Sequence, residues 1–338
     1  MLRTDTDTGL VAEFRKSVAA ALDRDEPSGA RSALVKAGWL DALAAQEAMA
    51  VAVVFREQGR TGIDAAALDD VLAAALGTGE AAVAYPATAG THVVLPAHRH
   101  AERLLWLPDL SGEGLVVVDL DGPVEARPLG GIDPAAGLLA LPGLPAGRTT
   151  DIPATVWPAA LAAGHRALSH QLVASSRALL ALATDYAGER RQFRTPIAEF
   201  QAVKHRLAET LVAVEAADAA AVAAATAGTV TAAMVAKILA GRAADAAGRN
   251  CFQVFGGIAF TSEHEFHRGY RRNLVLDRLL GDPRTLARRL GAQIRAGDLA
   301  GERLVGLADV PGIGPDGSGP RLPAAKRSAR RQKGEASR

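Results

Sequence analysis

Between residues 159 and 253 the chain carries three long runs of helical period, 159–186, 197–227 and 230–253, interrupted only by "GERRQFRTP" and "AGT". Apolar residues recurring at helical spacing over such lengths read as helices, and short connectors favour antiparallel neighbours. A fourth run, 283–296, starts at Pro283, so the pattern predicts a four-helix bundle over 153–300. Aromatic residues make up only 4% of the chain while alanine is abundant. The core should therefore be filled by Leu, Val and Ala between closely approaching helices.

Two further textures precede the bundle. Over 1–80, Leu10, Val11, Phe14, Val18 and Leu22 recur at helical spacing, as do Leu68, Val71, Leu72 and Leu76, with breaks at "RDEPSGA" and "EQGRTGID"; three or four helices are expected. Over 81–152 short apolar runs, "HVVLP", "RLLWLP" and "GLVVVDL", alternate with Gly, Pro, Asp and Ser, the pattern of antiparallel strands and turns. A β unit this small needs helices to pack against. The fold class expected is mainly α with a small β unit between two helical domains.

Residues 301–338 lack an apolar period and are rich in Gly, Pro and basic residues, which predicts a disordered basic tail. From Ser318 onward seven Lys or Arg face one Glu, a local +6 that leaves −5 on the remainder of a chain whose formal charge is +1. That balance argues against a nucleic-acid surface on the folded part. The single cysteine, Cys251, cannot form an internal disulfide, and no signal peptide or uninterrupted apolar span of membrane length is visible. A reducing cytoplasm is the expected compartment, with no membrane partner.

Two stretches stand out as candidate sites. In "GERRQFRTPIAEFQ", residues 188–201, Arg190, Arg191 and Arg194 surround Phe193 at a helix junction. Guanidinium forks suit phosphate oxygens and a ring offers a flat apolar face; basic residues at a helix C-terminus also answer the macrodipole. In "QVFGGIAF", residues 253–260, Gly256 and Gly257 follow a helix. Glycine there is the expected left-handed cap, yet the missing Cβ would also let a ligand approach the backbone, with Gln253 supplying an amide. The pairs His98 with His100 and His264 with His267 lie near no cysteine or HExxH pattern, so no metal is expected. Ser175 and Ser176 sit inside an apolar helical run and read as packing or surface residues.

Read together, these segments resemble the acyl-CoA dehydrogenase family. The order of helices, β unit and four-helix bundle is the family's. "ERRQFRTPIAEFQAVKHRLAE" is similar to its arginine, phenylalanine and glutamine segment, and "QVFGGIAFTSEHEFHRGYRR" to the glutamine-glycine-glycine stretch of small actinobacterial-type members. The resemblance implies an FAD-dependent α,β-dehydrogenation of an acyl-CoA thioester by dimers or tetramers. It places Arg190, Phe193 and Gln201 on the pyrophosphate and adenylate side of FAD across a subunit boundary, and Gln253, Gly256 and Gly257 on the other FAD-contacting stretch.

That chemistry needs a carboxylate to remove the α-proton. The family's glutamate stands at one of two places, which here hold Leu280, in "DRLLGDP", and Gly164 or a near neighbour, in "LAAGHRAL". Neither residue accepts a proton, so the catalytic residue is unknown; Asp277, Asp282 and Glu263 are the neighbouring substitutes. The motifs that support the flavin ring are also missing from the β unit, where "AYPATAG" stands. The resemblance is therefore to the base-lacking subunit of heterotetrameric α2β2 enzymes, partnered by a second acyl-CoA dehydrogenase-like subunit and acting on bulky steroid-derived acyl groups. An autonomous homomeric enzyme with a displaced base and a cofactor-free interaction subunit are the alternatives.

Overall fold

The computed structural model describes residues 5–23, 29–87, 91–95, 101–122, 126–261 and 264–299. The basic tail expected at 301–338 lies outside them.

Five helices come first: α1 (Asp5–Leu22), α2 (Ala30–Lys36), α3 (Trp39–Ala45), α4 (Glu47–Thr61) and α5 (Ala67–Leu76). Gly38 ends the turn after α2 with φ +88°, dividing what the apolar period alone would run together. Their core is seeded by Trp39, which packs edge-on against Phe55 and donates its indole N–H to Asp70 at 2.9 Å. Arg31 forks between Asp70 and Glu80, at 2.5 and 2.6 Å.

The β unit is a seven-stranded sheet of β1 (Ala82–Pro86), β2 (His92–Val94), β3 (Arg103–Trp106), β4 (Val116–Leu120), β5 (Arg127–Pro128), β6 (Leu139–Leu141) and β7 (Gly147–Asp151). Strand order is β5-β6-β2-β1-β3-β4-β7. The antiparallel expectation is corrected at one pair: β1 and β3 run parallel, Val83 opposite Leu105. β2 turns back onto one edge of β1, so the chain must cross to the other edge and arrives there in the direction of β1. Asp69 of α5 anchors the sheet, accepting from the Tyr85 hydroxyl at 2.6 Å and the Val83 amide at 3.1 Å.

The bundle is built from α6 (Trp157–Glu189), α7 (Gln201–Ala227), α8 (Val230–Phe255) and α10 (Pro283–Ala296), with a further helix, α9 (Phe266–Leu276), before the last. α7 begins at Gln201, not 197, because Phe200 is extended and Ile197–Glu199 form one 3-10 turn. Buried Thr210, Val214, Ala217, Ala221 and Ala224 form one stripe of α7, while Leu211, Val212 and Val222 on its other side are exposed. By length and composition alone α7 is apolar enough to cross a membrane. Its polar ties, however, run to neighbouring helices: Arg56 and Arg177 pair with Asp218, and Asn250 donates to Thr210. Arg272 of α9 joins bundle to sheet, pairing with buried Asp133 at 2.6 Å and donating to the Gly62 carbonyl.

Candidate functional site

The two stretches singled out in the sequence meet at one end of the bundle. At the end of α6 the Arg190 amide still bonds to the Tyr186 carbonyl, but its own carbonyl accepts from Ile197, closing a hairpin of β8 (Arg191–Gln192) and β9 (Thr195–Pro196). Phe193 and Arg194 form its turn with φ +49° and +70°. A two-residue hairpin demands that handedness, which glycine and asparagine usually supply. Placing phenylalanine there costs about 1–2 kcal/mol of backbone strain. The ring is not repaid by burial: Phe193 is 88% exposed, with Phe200 edge-on to it. Among the described residues the Arg190 and Arg194 guanidinium groups form no ion pair, and Gln201 is exposed at the first turn of α7.

Across the same apolar cluster, in which Ile197 and Ala198 pack with Phe255 and Ala259, lies the end of α8. The left-handed cap expected at Gly256 is corrected: its φ of +63° comes with ψ of −132°, and the chain continues into a 3-10 turn, Gly256–Phe260. Only glycine adopts that conformation comfortably, so Gly256 has a backbone reason to be glycine. Gly257 has none. Its φ is not in the positive region, and a Cβ there would meet nothing within 4 Å. Gln253 and Gly257 are exposed, beside Phe260 at 77% exposure. Among the described residues nothing calls for the bare backbone at Gly257. An exposed surface of guanidinium groups, flat rings and an uncluttered amide can bind a dianion flanked by an aromatic base.

The two positions of the absent base come together elsewhere, between α5, α6 and the loop from α9 to α10. Leu280 holds φ +58°, followed by Gly281 at +104°. Its side chain lies on Gly164 of α6, where an added Cβ would overlap Leu280 Cδ1 and stand 3.2 Å from Leu72 Cδ2. Leu68, Leu72 and Leu280 are all buried in the main core. The loop is clamped from two sides. His165 Nε2–H donates to the Leu280 carbonyl at 2.9 Å, which fixes its tautomer, and burial lowers its pKa to about 3. Lys237 of α8, fully buried, donates from Nζ to the carbonyls of Asp277 (3.0 Å) and Gly281 (3.3 Å) and pairs with the Asp277 carboxylate at 3.6 Å. Burial pulls Lys237 down to about 8, against the attraction of Asp277.

The substitute bases are already engaged. Asp277 faces Lys237, and burial raises its pKa despite that cation. Asp282 caps α10, accepting from the Arg284 and Thr285 amides and the Thr285 hydroxyl at 2.8–3.1 Å. Partial burial works against ionisation there, but these hydrogen bonds hold Asp282 below its ordinary value. Glu263 lies outside the described residues, as do His98 and His100. His264 Nδ1 accepts the Phe266 amide and His267 bonds the Thr261 carbonyl, so both rings serve the local chain. Among the described residues no group of three His, Cys, Asp or Glu is arranged to hold a metal. The Ser176 hydroxyl donates to the Leu172 carbonyl of its own helix, and Ser175 is buried in the same run. A cleft of about 760 Å³ opens beside the loop, lined by Arg242, Arg278, Arg284, Asp245 and Asp282. Its polar walls share no residue with the leucine cluster.

The profile of the acyl-CoA dehydrogenase C-terminal domain matches residues 158–294. Acyl-CoA dehydrogenase IpdE2 of Mycobacterium tuberculosis is 34% identical over 127 residues, which are 38% of this chain and 40% of IpdE2. FadE34, an acyl-CoA dehydrogenase of the same organism, is 36% identical over 157 residues, 44% of this chain and 22% of FadE34. The chain thus spans well under two thirds of the length of these curated relatives. Among solved structures, a Tcur3481-Tcur3483 steroid ACAD variant superposes with a TM-score of 0.69 at 22% identity, covering 86% of this chain and 98% of that one. Butyryl-CoA dehydrogenase from Megasphaera elsdenii gives 0.65 at 16% identity, covering 87% and 99%. At these identities the structural likeness establishes the fold.

Proposed function

Because the chain belongs to the acyl-CoA dehydrogenase family, we propose that it is the base-lacking, FAD-gripping subunit of a heteromeric dehydrogenase of an acyl-CoA thioester. The observation that carries this reading is Gly257: an exposed glycine for which no described neighbour gives a conformational or packing reason, at the same end of the bundle as arginines that form no ion pair among the described residues and an outward-held Phe193. FAD, when bound, accepts the hydride that leaves the β-carbon. The residues present fit its dinucleotide end. Arg190 and Arg194 would hold the pyrophosphate charges, Phe193 would cover a flat ring, and the backbone at Gly256 and Gly257 would let the adenylate approach, with Gln253 and Gln201 as amide partners.

No carboxylate is available at either base position, and the substitutes Asp277 and Asp282 are occupied by Lys237 and by the cap of α10. Removal of the α-proton therefore falls to a second acyl-CoA dehydrogenase-like subunit. The Tcur3481-Tcur3483 steroid ACAD among the solved structures supports a bulky steroid-type acyl group and a two-subunit assembly. A cytoplasmic enzyme accords with Cys251, whose thiol is buried and pushed up to about 12 by that burial.

The test is co-expression with a full-length, glutamate-bearing acyl-CoA dehydrogenase subunit from the same source. The complex is expected to be yellow and active, and Arg190→Ala in this chain to lower bound flavin at least tenfold at limiting FAD, the loss of one charge-assisted contact. Unchanged flavin content in Arg190→Ala would count against the reading, and a colourless wild-type complex would favour a cofactor-free interaction subunit.

A further inference from the structure

The cleft of about 760 Å³ is walled by three stretches of the bundle: 241–245 of α8, 270–278 of α9 and 282–288 at the start of α10. Its volume lies in the range of small-molecule sites. We propose that the cleft binds a nucleoside monophosphate, its phosphate held by arginines at the rim and its base read by the side-chain amide of Asn273. The cleft is separate from the proposed dinucleotide surface and shares no residue with it. On α8 its last residue, Asp245, precedes Gln253 by about 12 Å of helix axis.

The first observation is charge. Arg242, Arg278, Arg284 and Arg288 line the cleft and are all exposed. The carboxylates on the same walls are already engaged: Asp245 pairs with Arg249 at 2.9 Å, Asp277 with Lys237 at 3.6 Å, and Asp282 caps α10 and lies 3.9 Å from Arg278. Arg242, Arg284 and Arg288 form no ion pair among the described residues. A single carboxylate would not use so many guanidinium groups. A phosphate monoester would, since it carries about two negative charges and several acceptor oxygens that match guanidinium forks.

Solvated arginines alone need no ligand, and the second observation is what points to one. Asn273 lines the cleft and is 2% exposed, yet neither its amide nitrogen nor its amide oxygen has a hydrogen-bond partner among the described residues. Buried polar side chains are nearly always partnered, and one left without a partner carries its full desolvation penalty. A carboxamide sets a donor beside an acceptor, which complements the edge of a nucleobase.

The walls are also held in place. A Cβ on Gly248 would overlap the Tyr270 ring, and one on Gly241 would overlap Asp277 and Pro283. Two missing side chains on α8 thus let α9 and the start of α10 close directly against it, which fixes Asn273 relative to the arginines. The polarity of the ligand follows from burial: charge at the exposed rim, and an uncharged edge that both donates and accepts at the buried wall.

The experiment titrates uridine monophosphate (UMP), inorganic phosphate and uridine calorimetrically into the purified full chain and three variants at low salt. Arg242→Ala changes an exposed side chain, and Asn273→Leu replaces the amide by an apolar group of similar size, so both should fold, as melting curves will report. Arg190→Ala, on the dinucleotide surface, is the control for location. Expected are saturable, equimolar binding of UMP to wild type and weaker binding of phosphate and of uridine. Arg242→Ala should weaken UMP and phosphate alike by about tenfold, whereas Asn273→Leu should weaken UMP by about tenfold and leave phosphate unchanged. Arg190→Ala should bind UMP as wild type does. Absence of saturable UMP binding would overturn the proposal, as would a UMP affinity unmoved by Asn273→Leu, which would mean that water alone meets the amide. UMP binding lost in Arg190→Ala would put the nucleotide on the dinucleotide surface and overturn the second site. None of these titrations reads flavin content, so either reading can fail while the other stands.

Discussion

Besides Ala66 at the start of α5, two regions among the described residues hold non-glycine residues in the left-handed conformation, and these two use it in opposite ways. At the hairpin after α6, Phe193 and Arg194 turn their side chains out to solvent. At the loop before α10, Leu280 turns its side chain into the core against Gly164 and Leu72. Strain at the first site presents groups to something outside the chain; strain at the second fills a space inside it. The same contrast holds for the glycines. Gly257 has open space where a Cβ would stand, whereas Gly164 has none. A region kept for binding should therefore carry little stability, and a region kept closed should carry much.

That contrast breaks most sharply if a base is restored. Leu280→Glu puts a carboxyl group among Leu68, Leu72 and Gly164 with no partner, and should cost about 4 kcal/mol of unfolding free energy in urea titration. A stable Leu280→Glu protein would mean that the space is wetter than its leucines indicate. Next in size is Lys237→Met. It leaves the Asp277 and Gly281 carbonyls without their donor and should cost about 2 kcal/mol, with flavin content of the surviving folded complex unchanged. A loss of flavin at full stability would tie the loop to the cofactor instead.

Acid sharpens the comparison from another side. His170, buried on α6, has its pKa lowered to about 4 by burial and by Arg56, against the pull of Asp218. The unfolded chain takes up a proton near pH 6.5 that the folded chain refuses until about pH 4. This stabilising contribution is complete above pH 6.5 and is lost as pH falls between those values, at about 1.4 kcal/mol per pH unit. Buried Asp69, whose pKa is raised well above its ordinary value by burial, slopes the other way, so the informative quantity is a difference. His170→Leu should be less sensitive than wild type between pH 6.5 and 5; parallel pH profiles would contradict the buried neutral ring. The smallest stability effect belongs to Gly257→Ala, within about 0.5 kcal/mol of wild type, since its Cβ meets nothing. Its flavin content should fall even so, and a variant that loads FAD normally would remove the glycine from the binding surface.

Much of the architecture was legible because the bundle helices are long and their stops are chemical. The Pro283 start, the Gly228 stop and the Thr229 cap of α8 are local signals, and α10 runs from Pro283 to Ala296 as the period implies. α9 was not legible: "FHRGYRRNLVL" buries only Phe266, Arg272, Asn273 and Leu276, and two of those are polar. The parallel β1–β3 pair was hidden for a different reason, since pairing direction depends on where the chain crosses and not on the strands' own residues. For the site, the arginines, Phe193 and the glycine pair could be picked out from residue type, but the reason for Gly257 needs the space around it. His165 and Lys237 gave weaker signals, a ring and an ammonium group in apolar helices. Their shared purpose, holding Leu280 in place, appears only when α6, α8 and the loop are brought together.

The central claim is that this chain can hold the dinucleotide end of a flavin and has no group to take the thioester's α-proton. The direct measurement is flavin absorbance of the purified chain, reconstituted with FAD and mixed anaerobically with a steroid-type acyl-CoA, alone and after adding the partner subunit. The expected result is no bleaching by the chain alone and rapid bleaching once the partner is present. Bleaching with enoyl-CoA formation by the chain alone would contradict the account.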